Sequence, residues 1–298
     1  MKLNKLTLKD KKLIKRFLDI DRHDLSVYAF ENIYIWRSLF DISWAEVDDN
    51  LCIFFKDNIG CFMYLAPLGR NKNKEAVKQA FCVMDRFNQN QDISRIENIE
   101  AKDAQFYKGL GYHTKVKSYD YLCLRSDLAA LRGNQFKHKR ASFNFFSRHY
   151  QGQYLSFSLK YKQECLALYN HWRKQRQNLS QDSTYGGMQE DSLKALTIML
   201  NNFKGLNLTG RLVVIDKQIK AFTFGFKLNP ETFCILYEIT DLSIKGLAQF
   251  IFRQICGELT DYKYINIMDD SGLDNLKRVK LSYRPVKLIP AYIAKRYE

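Results

Sequence analysis

Apolar and polar positions follow each other in short runs that predict a mixture of strands and helices. In the first half, apolar runs at 44–47 and 51–55 flank Asp48-Asp49-Asn50, which predicts a β-hairpin. A third apolar run at 61–65 predicts another strand, and a helical spacing over 73–88 predicts a long helix. The rest of this half predicts helices over 5–18, 28–40 and 103–110 and strands over 93–99 and 118–124.

The second half repeats that order of elements. Two hairpin strands, a third strand, a long helix, a strand and a short helix are predicted, over 211–216, 219–227, 232–239, 246–259, 264–268 and 274–280. A closing strand is predicted over 286–294, and the middle of the chain predicts helices over 136–150, 162–177 and 191–203 and a strand over 154–161. We therefore expect two modules, residues 1–125 and 126–298, in which 40–124 and 210–290 superpose.

This element order is similar to that of the GNAT acyltransferase fold, and residues 106–112 resemble its aromatic FYxxxGF ending. Three segments resemble the family of the phosphatidylglycerol lysyltransferase C-terminal domain: N-x-Y-x-W-R at 32–37, a D-Y pair with L-x-G and a basic run over 120–140, and D-x-G to S-Y-x-P over 269–285. The resemblance covers nearly the whole chain. It implies an α/β (α+β) fold of two tandem GNAT-like modules, each a mixed twisted sheet flanked by helices, and it implies aminoacyl or acyl transfer.

The charge and the cysteine content indicate the kind of partner and the cellular compartment. The 298 residues include 47 Lys and Arg against 32 Asp and Glu, a net charge of +15, which indicates an anionic partner or a basic surface kept soluble by self-repulsion. The seven cysteines form no CxxC pair, which favours buried thiols in a reducing compartment over a zinc site. No signal-peptide core or membrane-spanning run occurs. We expect a cytoplasmic protein, at most peripheral to a membrane.

The densest basic cluster lies on the predicted helix over 136–150, where aromatic residues interleave with Lys137, Lys139, Arg140 and Arg148. Such a helix can bind phosphate while it buries its aromatic face, although a solvated helix face is the commoner case. The family resemblance favours ligand binding, and it implies tRNA phosphate or an anionic phospholipid surface as the partner.

Candidate catalytic residues lie in the second half. Glu238 interrupts an apolar strand, where a carboxylate is expected to be paired, exposed or functional, and Asp270 is the second acidic candidate. Gly246 begins a predicted helix at the place where acetyl-CoA users bind pyrophosphate; a glycine needed for tight packing is the alternative, and we favour it for coenzyme A. The remaining predicted substrate-binding residues are Lys245, Lys277, Lys280 and Tyr283.

Several function classes lack their motifs. The chain has no HExxH, GxSxG, Walker or GxGxxG element, and we expect no metal. The leading hypothesis is transfer of an aminoacyl or acyl group from aminoacyl-tRNA or acyl-CoA to an amine or hydroxyl. A catalytically silent tandem-GNAT protein that binds an anionic ligand is the alternative, because Asn266-Ile267-Met268 replaces the family's Asn-Arg-Glu. An ordinary acyl-CoA N-acetyltransferase is a third possibility, and the oligomeric state stays open.

Overall fold

A computed structural model describes residues 2–177 and 183–296 of the chain. The chain divides into two compact units. Unit 1 comprises Met1–Asp120, Asp269–Gly272 and Leu288–Glu298, and unit 2 comprises Tyr121–Met268 and Leu273–Lys287. Each unit therefore contains most of one predicted half, and the strand at the C-terminal end of the chain is part of unit 1.

Unit 1 contains a mixed sheet with flanking helices. Its elements are β1 (Asn4–Lys5), α1 (Lys11–Leu18), α2 (Phe30–Ile35), β2 (Asp41–Val47), β3 (Asn50–Lys56), β4 (Cys61–Met63), α3 (Lys74–Phe87), β5 (Arg95–Glu100), α4 (Ala101–Gly109), most of β6 (His113–Leu124) and nearly all of β12 (Lys287–Lys295). The strands lie in the order β1-β2-β3-β4-β5-β12-β6. Neighbours from β1 to β4 pair antiparallel, β4 and β5 pair parallel, and β5 and β12 pair antiparallel.

The predicted hairpin of unit 1 is confirmed. Val47 pairs with Asn50 across a two-residue turn, in which Asp48 and Asp49 have φ angles of 45° and 62°. Aspartate tolerates this left-handed region, and a turn with two positive φ values matches the twist of the strands that it joins. The acidic pair therefore fixes the register of β2 and β3.

Unit 2 also contains a mixed sheet with helices. Its elements are the end of β6, α5 (Arg125–Ala130), α6 (Lys137–His149), β7 (Gln153–Ser156), α7 (Lys162–Gln177), α8 (Ser183–Asn201), α9 (Phe203–Leu206), β8 (Thr209–Ile215), β9 (Gln218–Asn229), β10 (Thr232–Thr240), α10 (Leu247–Glu258), β11 (Tyr264–Asn266) and α11 (Asp274–Leu281). The strands lie in the order β7-β8-β9-β10-β11-β6. Neighbours from β7 to β10 pair antiparallel, β10 and β11 pair parallel, and β11 and β6 pair antiparallel.

The two units thus repeat one order of strands and one order of pairing senses, whereas the sequence predicted only the repeated order of elements along the chain. In each unit the strand after the long helix pairs with a strand from a distant part of the sequence: β5 pairs with β12, and β11 pairs with β6. The repeated order of elements is visible in the sequence pattern. The pairing of β5 with β12 and of β11 with β6 is not, because these strands are far apart along the chain.

Several predicted elements have different bounds in the structure; for example, the helix expected over 28–40 is α2 (Phe30–Ile35) followed by a 3-10 turn, and α8 begins at Ser183 rather than at 191. The helix expected over 5–18 is shorter: Thr7 and Asp10 form a capping box around a 3-10 turn at Leu8–Asp10, and α1 begins after that turn, at Lys11. The strand expected over 154–161 ends at Ser156, and residues Leu159–Tyr161 form a 3-10 turn before α7.

The structure shows which cysteine thiols are buried and whether any described helix could cross a membrane. Six of the seven cysteines are buried, but Cys82 on α3 is exposed. Among the described residues, no helix combines the length and the apolar character that crossing a bilayer requires.

Candidate functional site

The middle of unit 2 contains a place where two parallel strands separate. In the described part of the chain, β10 pairs with β11 over Thr232–Cys234, although β10 continues to Thr240. A register shift between Ile235 and Tyr237 forms a bulge in β10 at the same point. The later residues of β10 therefore diverge from β11, and such a strand can present backbone N–H groups to a substrate oxygen.

Glu238 lies in this diverging part of β10. It pairs directly with Thr223 of β9, so the two side chains extend from the same face of the sheet. The Glu238 residue is half-buried, but its Oε2 atom is fully buried and has no hydrogen-bond partner among the described residues, and the same holds for Thr223 Oγ1. Burial raises the pKa of Glu238 to about 8, although the nearby charge of Lys139 acts in the opposite direction. Burial therefore favours the neutral form of this carboxyl, whereas the Lys139 charge favours the carboxylate.

Lys139 approaches this face from α6. Its Nζ atom lies 3.3 Å from the centre of the Tyr283 ring, which is itself buried and packs 4.6 Å from the ring of Phe252. Burial lowers the pKa of Lys139 to about 8, against the opposing effect of the Glu238 charge. A carboxyl whose pKa is raised by burial and a nearby amine whose pKa is lowered by burial are suited to proton transfer.

The three predicted site residues of the segment around α11 have different surroundings. Lys277 and Lys280 are predicted substrate-binding residues, but the cation whose charge acts on the nearby Glu238 is Lys139. Lys280 Nζ donates a hydrogen bond to the Ile267 carbonyl oxygen, and Lys277 is exposed on α11. Of the three residues predicted from this segment, Tyr283 contacts the cluster around Lys139.

Gly246 precedes α10 with a φ of 85°. A Cβ atom at this position would lie 2.1 Å from the carbonyl oxygen of Ser142 on α6. Glycine is therefore required both for the left-handed backbone and for the close approach of α6. This geometry agrees with the packing alternative, in which the glycine is needed for the close contact between α6 and the start of α10.

A basic face of α6 lies next to the start of α10. The 13-residue helix contains no Asp or Glu, and Lys245 contributes a further cation, with its Nζ atom 4.6 Å from the centre of the Phe145 ring. Phe145 in turn stacks on His149 at 4.2 Å. We call this face the α6 surface and define it by the exposed residues Lys137, His138, Arg148, His149 and Lys245.

The other two residues of the predicted basic cluster have different surroundings. Lys139 faces Tyr283, and Arg140 Nη1 donates to the carbonyl oxygens of Leu131 and Gly133, at 2.5 and 3.0 Å. Arg140 therefore fixes the loop between α5 and α6. Lys137 and Arg148 are exposed and make no ion pair with the described residues.

Two acidic residues that follow β11 and β10, Asp270 and Asp241, accept hydrogen bonds from nearby residues of their own loops. Asp270 is part of unit 1, whereas Glu238 is part of unit 2, and Asp270 Oδ1 accepts a hydrogen bond of 3.0 Å from the Gly272 N–H. Asp241 is buried and accepts hydrogen bonds from Ser243, Gln175 and Lys220, which overcome its burial and hold its pKa well below the usual range. Asp241 therefore stabilises the loop that leads into α10.

Thr223 was not predicted from the sequence. It lies in the apolar and aromatic run Ala221-Phe222-Thr223-Phe224, and a hydroxyl in such a run is a signal that could have been read. Neither Thr223 nor Glu238 belongs to a metal-binding arrangement, since the described residues contain no cluster of three His, Cys, Asp or Glu side chains able to hold a metal ion.

The repeated sheet with a parallel pair that opens beyond a bulge defines a tandem GNAT fold. A tandem GNAT protein from the clavulanic acid biosynthesis pathway shares it, with a TM-score of 0.54 and 9% identity over all of this chain and 99% of that one. The chain belongs to the family described as phosphatidylglycerol lysyltransferase, C-terminal, whose model matches residues 20–295. The fold and the family predicted from the sequence are thus confirmed.

Two further solved structures are similar over nearly the whole chain. A conserved protein of unknown function from Bacteroides thetaiotaomicron has a TM-score of 0.87 and 29% identity, with 99% of each chain covered. L-PGS from Bacillus licheniformis has a TM-score of 0.65 and 15% identity, with 96% of this chain and 92% of that chain covered. A sequence comparison with curated proteins finds no match.

Proposed function

We propose that this protein transfers an aminoacyl group from aminoacyl-tRNA to a hydroxyl or amine acceptor, with Glu238 at the reacting centre. Family membership indicates a protein of the acyl- or aminoacyl-transferase kind. The observation that carries the proposal is the buried Oε2 atom of Glu238, which lacks a partner where β10 diverges from β11. Leaving a carboxylate oxygen unpaired is costly, and functional sites are where such costs are retained.

The start of α10 favours aminoacyl-tRNA over acyl-CoA as the donor. The backbone of α6 at Ser142 closely approaches Gly246, which supports a packing role for this glycine rather than a role in binding coenzyme A. The α6 surface beside it offers cations and aromatic rings without acidic residues, which suits the phosphates of a nucleic acid. Lys245 belongs to this surface and would bind donor phosphate rather than the reacting carbonyl.

The acceptor is proposed from the family. The family is described by its action on phosphatidylglycerol, whose headgroup carries a free hydroxyl. In the proposed step, the acceptor oxygen attacks the ester carbonyl of the aminoacyl-tRNA while Glu238 removes the hydroxyl proton. The tetrahedral intermediate then expels the tRNA ribose oxygen, which takes that proton back from Glu238. One ester bond forms and one breaks, so neither oxidant nor energy donor is needed.

Lys139 and Tyr283 support Glu238 in this scheme. A protonated Lys139 favours the carboxylate form of Glu238, which is the form that accepts a proton. The Tyr283 ring holds the Lys139 ammonium in place by a cation–π contact of 3.3 Å. Thr223 lies opposite Glu238 on the neighbouring strand, and its buried hydroxyl, which has no partner among the described residues, adds a second unpaired polar group on this face of the sheet.

The test is a transfer assay with labelled lysyl-tRNA or alanyl-tRNA and phospholipid or amine acceptors, run beside labelled acetyl-CoA. Glu238→Gln should reduce turnover by a factor of about 100 or more, as expected for loss of a proton-transferring group. Glu164→Gln, an exposed carboxylate of α7, is the matched control and should retain full activity. A fully active Glu238→Gln protein would remove this residue from the mechanism.

The donor surface is tested by binding. Lys137→Gln with Arg148→Gln should weaken tRNA binding. It should also lower the number of salt ions released on binding, which is read from the salt dependence of the affinity, by about one to two. The charge-matched control is Lys9→Gln with Lys78→Gln, two exposed lysines of unit 1. Wild-type protein that binds tRNA through the α6 surface but transfers neither donor would favour the silent-binding alternative, in which Ile267 and Met268 replace the family's Arg and Glu.

A further inference from the structure

The segment after the start of α11 combines cations with exposed aliphatic side chains. Residues 277–287 contain no Asp or Glu and include five basic residues: Lys277, Arg278, Lys280, Arg284 and Lys287. Val279, Leu281 and Val286 are exposed by 52%, 40% and 51%. Single exposed aliphatic residues are ordinary, but three within eight positions form a local apolar surface.

The backbone of this segment separates an inner side from an outer side. The N–H groups of Ser282, Tyr283 and Arg284 donate to carbonyl oxygens three residues earlier, at 3.2, 3.1 and 3.0 Å, so α11 ends in 3-10 geometry. Residues three apart share one line in that geometry. Tyr283 is buried and Lys280 half-buried on the inner side, whereas Leu281 and, after the turn, Arg284 are exposed on the outer side.

The inner side anchors the segment firmly to unit 2. Lys280 bonds the Ile267 carbonyl oxygen, Tyr283 packs on Phe252, and the Val286 N–H donates to the Leu122 carbonyl oxygen at 2.8 Å. The exposed aliphatic and cationic side chains are therefore presented on a fixed backbone. We call the outer residues Arg278, Val279, Leu281, Arg284 and Val286 the α11 surface.

We propose that the α11 surface docks on an anionic phospholipid bilayer. A bilayer surface is matched by both features, since aliphatic side chains enter the headgroup region while cations contact anionic lipids. A second copy of the chain would bring two acid-free basic surfaces together and be repelled. Nucleic acid would use the cations but would leave the aliphatic side chains exposed, because bases stack on aromatic rings.

Docking here would bring lipid close to the reacting centre. Tyr283, whose ring contacts Lys139, belongs to the same turn as Leu281 and Arg284. The identification of the bilayer as the source of the acceptor rests on the proposed function, but membrane binding itself requires no turnover. A binding experiment therefore tests the surface separately from the transfer reaction.

The experiment is co-sedimentation of the full chain with vesicles of phosphatidylcholine alone or mixed with phosphatidylglycerol. We expect binding to the mixed vesicles that weakens with salt and is much weaker on phosphatidylcholine alone. Leu281→Ser with Val286→Ser should weaken it about tenfold or more. Arg278→Gln with Arg284→Asn should do the same, and asparagine suits the left-handed φ of 55° at Arg284.

Controls identify the surface. Ile59→Ser removes an aliphatic side chain that is 72% exposed in unit 1 and should leave vesicle binding unchanged. The Lys137→Gln, Arg148→Gln protein should retain vesicle binding. The proposal is overturned if mixed vesicles do not bind the wild-type protein, if the Leu281 and Val286 variant binds them normally, or if the α11 variants lose tRNA binding instead.

Discussion

The pH dependence of stability should carry the signature of Glu238 and Lys139. The pKa of Glu238 is about 8 in the folded protein against an ordinary value of 4.5, so between these pH values the folded protein keeps a proton that the unfolded chain has released. Its contribution therefore makes stability fall as pH rises from about 4.5 to 8. The pKa of Lys139 is about 8 against an ordinary 10.5, so between about 8 and 10.5 its contribution makes stability rise again.

The magnitude follows from the same values. At about 1.4 kcal/mol per pH unit, the Glu238 interval corresponds to at most about 5 kcal/mol and the Lys139 interval to at most about 3 kcal/mol. Glu238 is half-buried, so solvent screening reduces this, and we expect a loss of about 2–4 kcal/mol between pH 5 and pH 8. Glu238→Gln removes the titration and should remove this loss.

The assay is urea unfolding followed by circular dichroism at several pH values, for the wild-type protein, Glu238→Gln and the control Glu164→Gln. Titrating groups other than Lys139, whose pKa depends on the Glu238 charge, are shared by these proteins and cancel in the differences. The free energy of unfolding of the wild type should drop relative to Glu238→Gln by about 2–4 kcal/mol as pH rises to 8. Curves for the two proteins that run parallel within about 0.5 kcal/mol would refute the reasoning.

Three further outcomes follow from other contacts. Gly246→Ala should lose about 3 kcal/mol or more of unfolding free energy, because its Cβ would lie 2.1 Å from the Ser142 oxygen at a left-handed φ. Asn88→Ala should cost about 2–4 kcal/mol, because the buried Asn88 amide bonds both the N–H and the carbonyl oxygen of Cys61, at 2.6 and 2.8 Å. A thiol reagent should modify Cys82 rapidly in the native protein and the other six cysteines only after unfolding.

Each of these outcomes has its own control. Gly257→Ala on α10, where an added Cβ meets no atom within 4 Å, should be neutral or stabilising. Asn71→Ala removes an exposed amide and should change stability by less than about 0.5 kcal/mol. More than one thiol modified rapidly at neutral pH, or none, would contradict the burial that separates Cys82 from the rest.

The order of elements was determined by the sequence itself. The hairpin at Asp48 and Asp49, the long helices and the repeated strand order were predicted correctly, because alternation, helical spacing and turn residues act over a few neighbouring positions. The acid-free basic helix was also visible, as was Glu238, since a carboxylate in an apolar strand is locally anomalous. Features that depend on neighbouring residues could therefore be predicted from the sequence.

The tertiary structure decided which of these residues meet. Lys139 rather than Lys277 or Lys280 acts on Glu238, and it does so from a helix far away in the sequence. The pairing of β11 with β6, the pairing of β5 with β12 and the approach of Ser142 to Gly246 likewise join distant segments. Such contacts depend on strand register and on how helices pack on a sheet, and these arise from the summed burial of many side chains, for which no short pattern in the sequence exists.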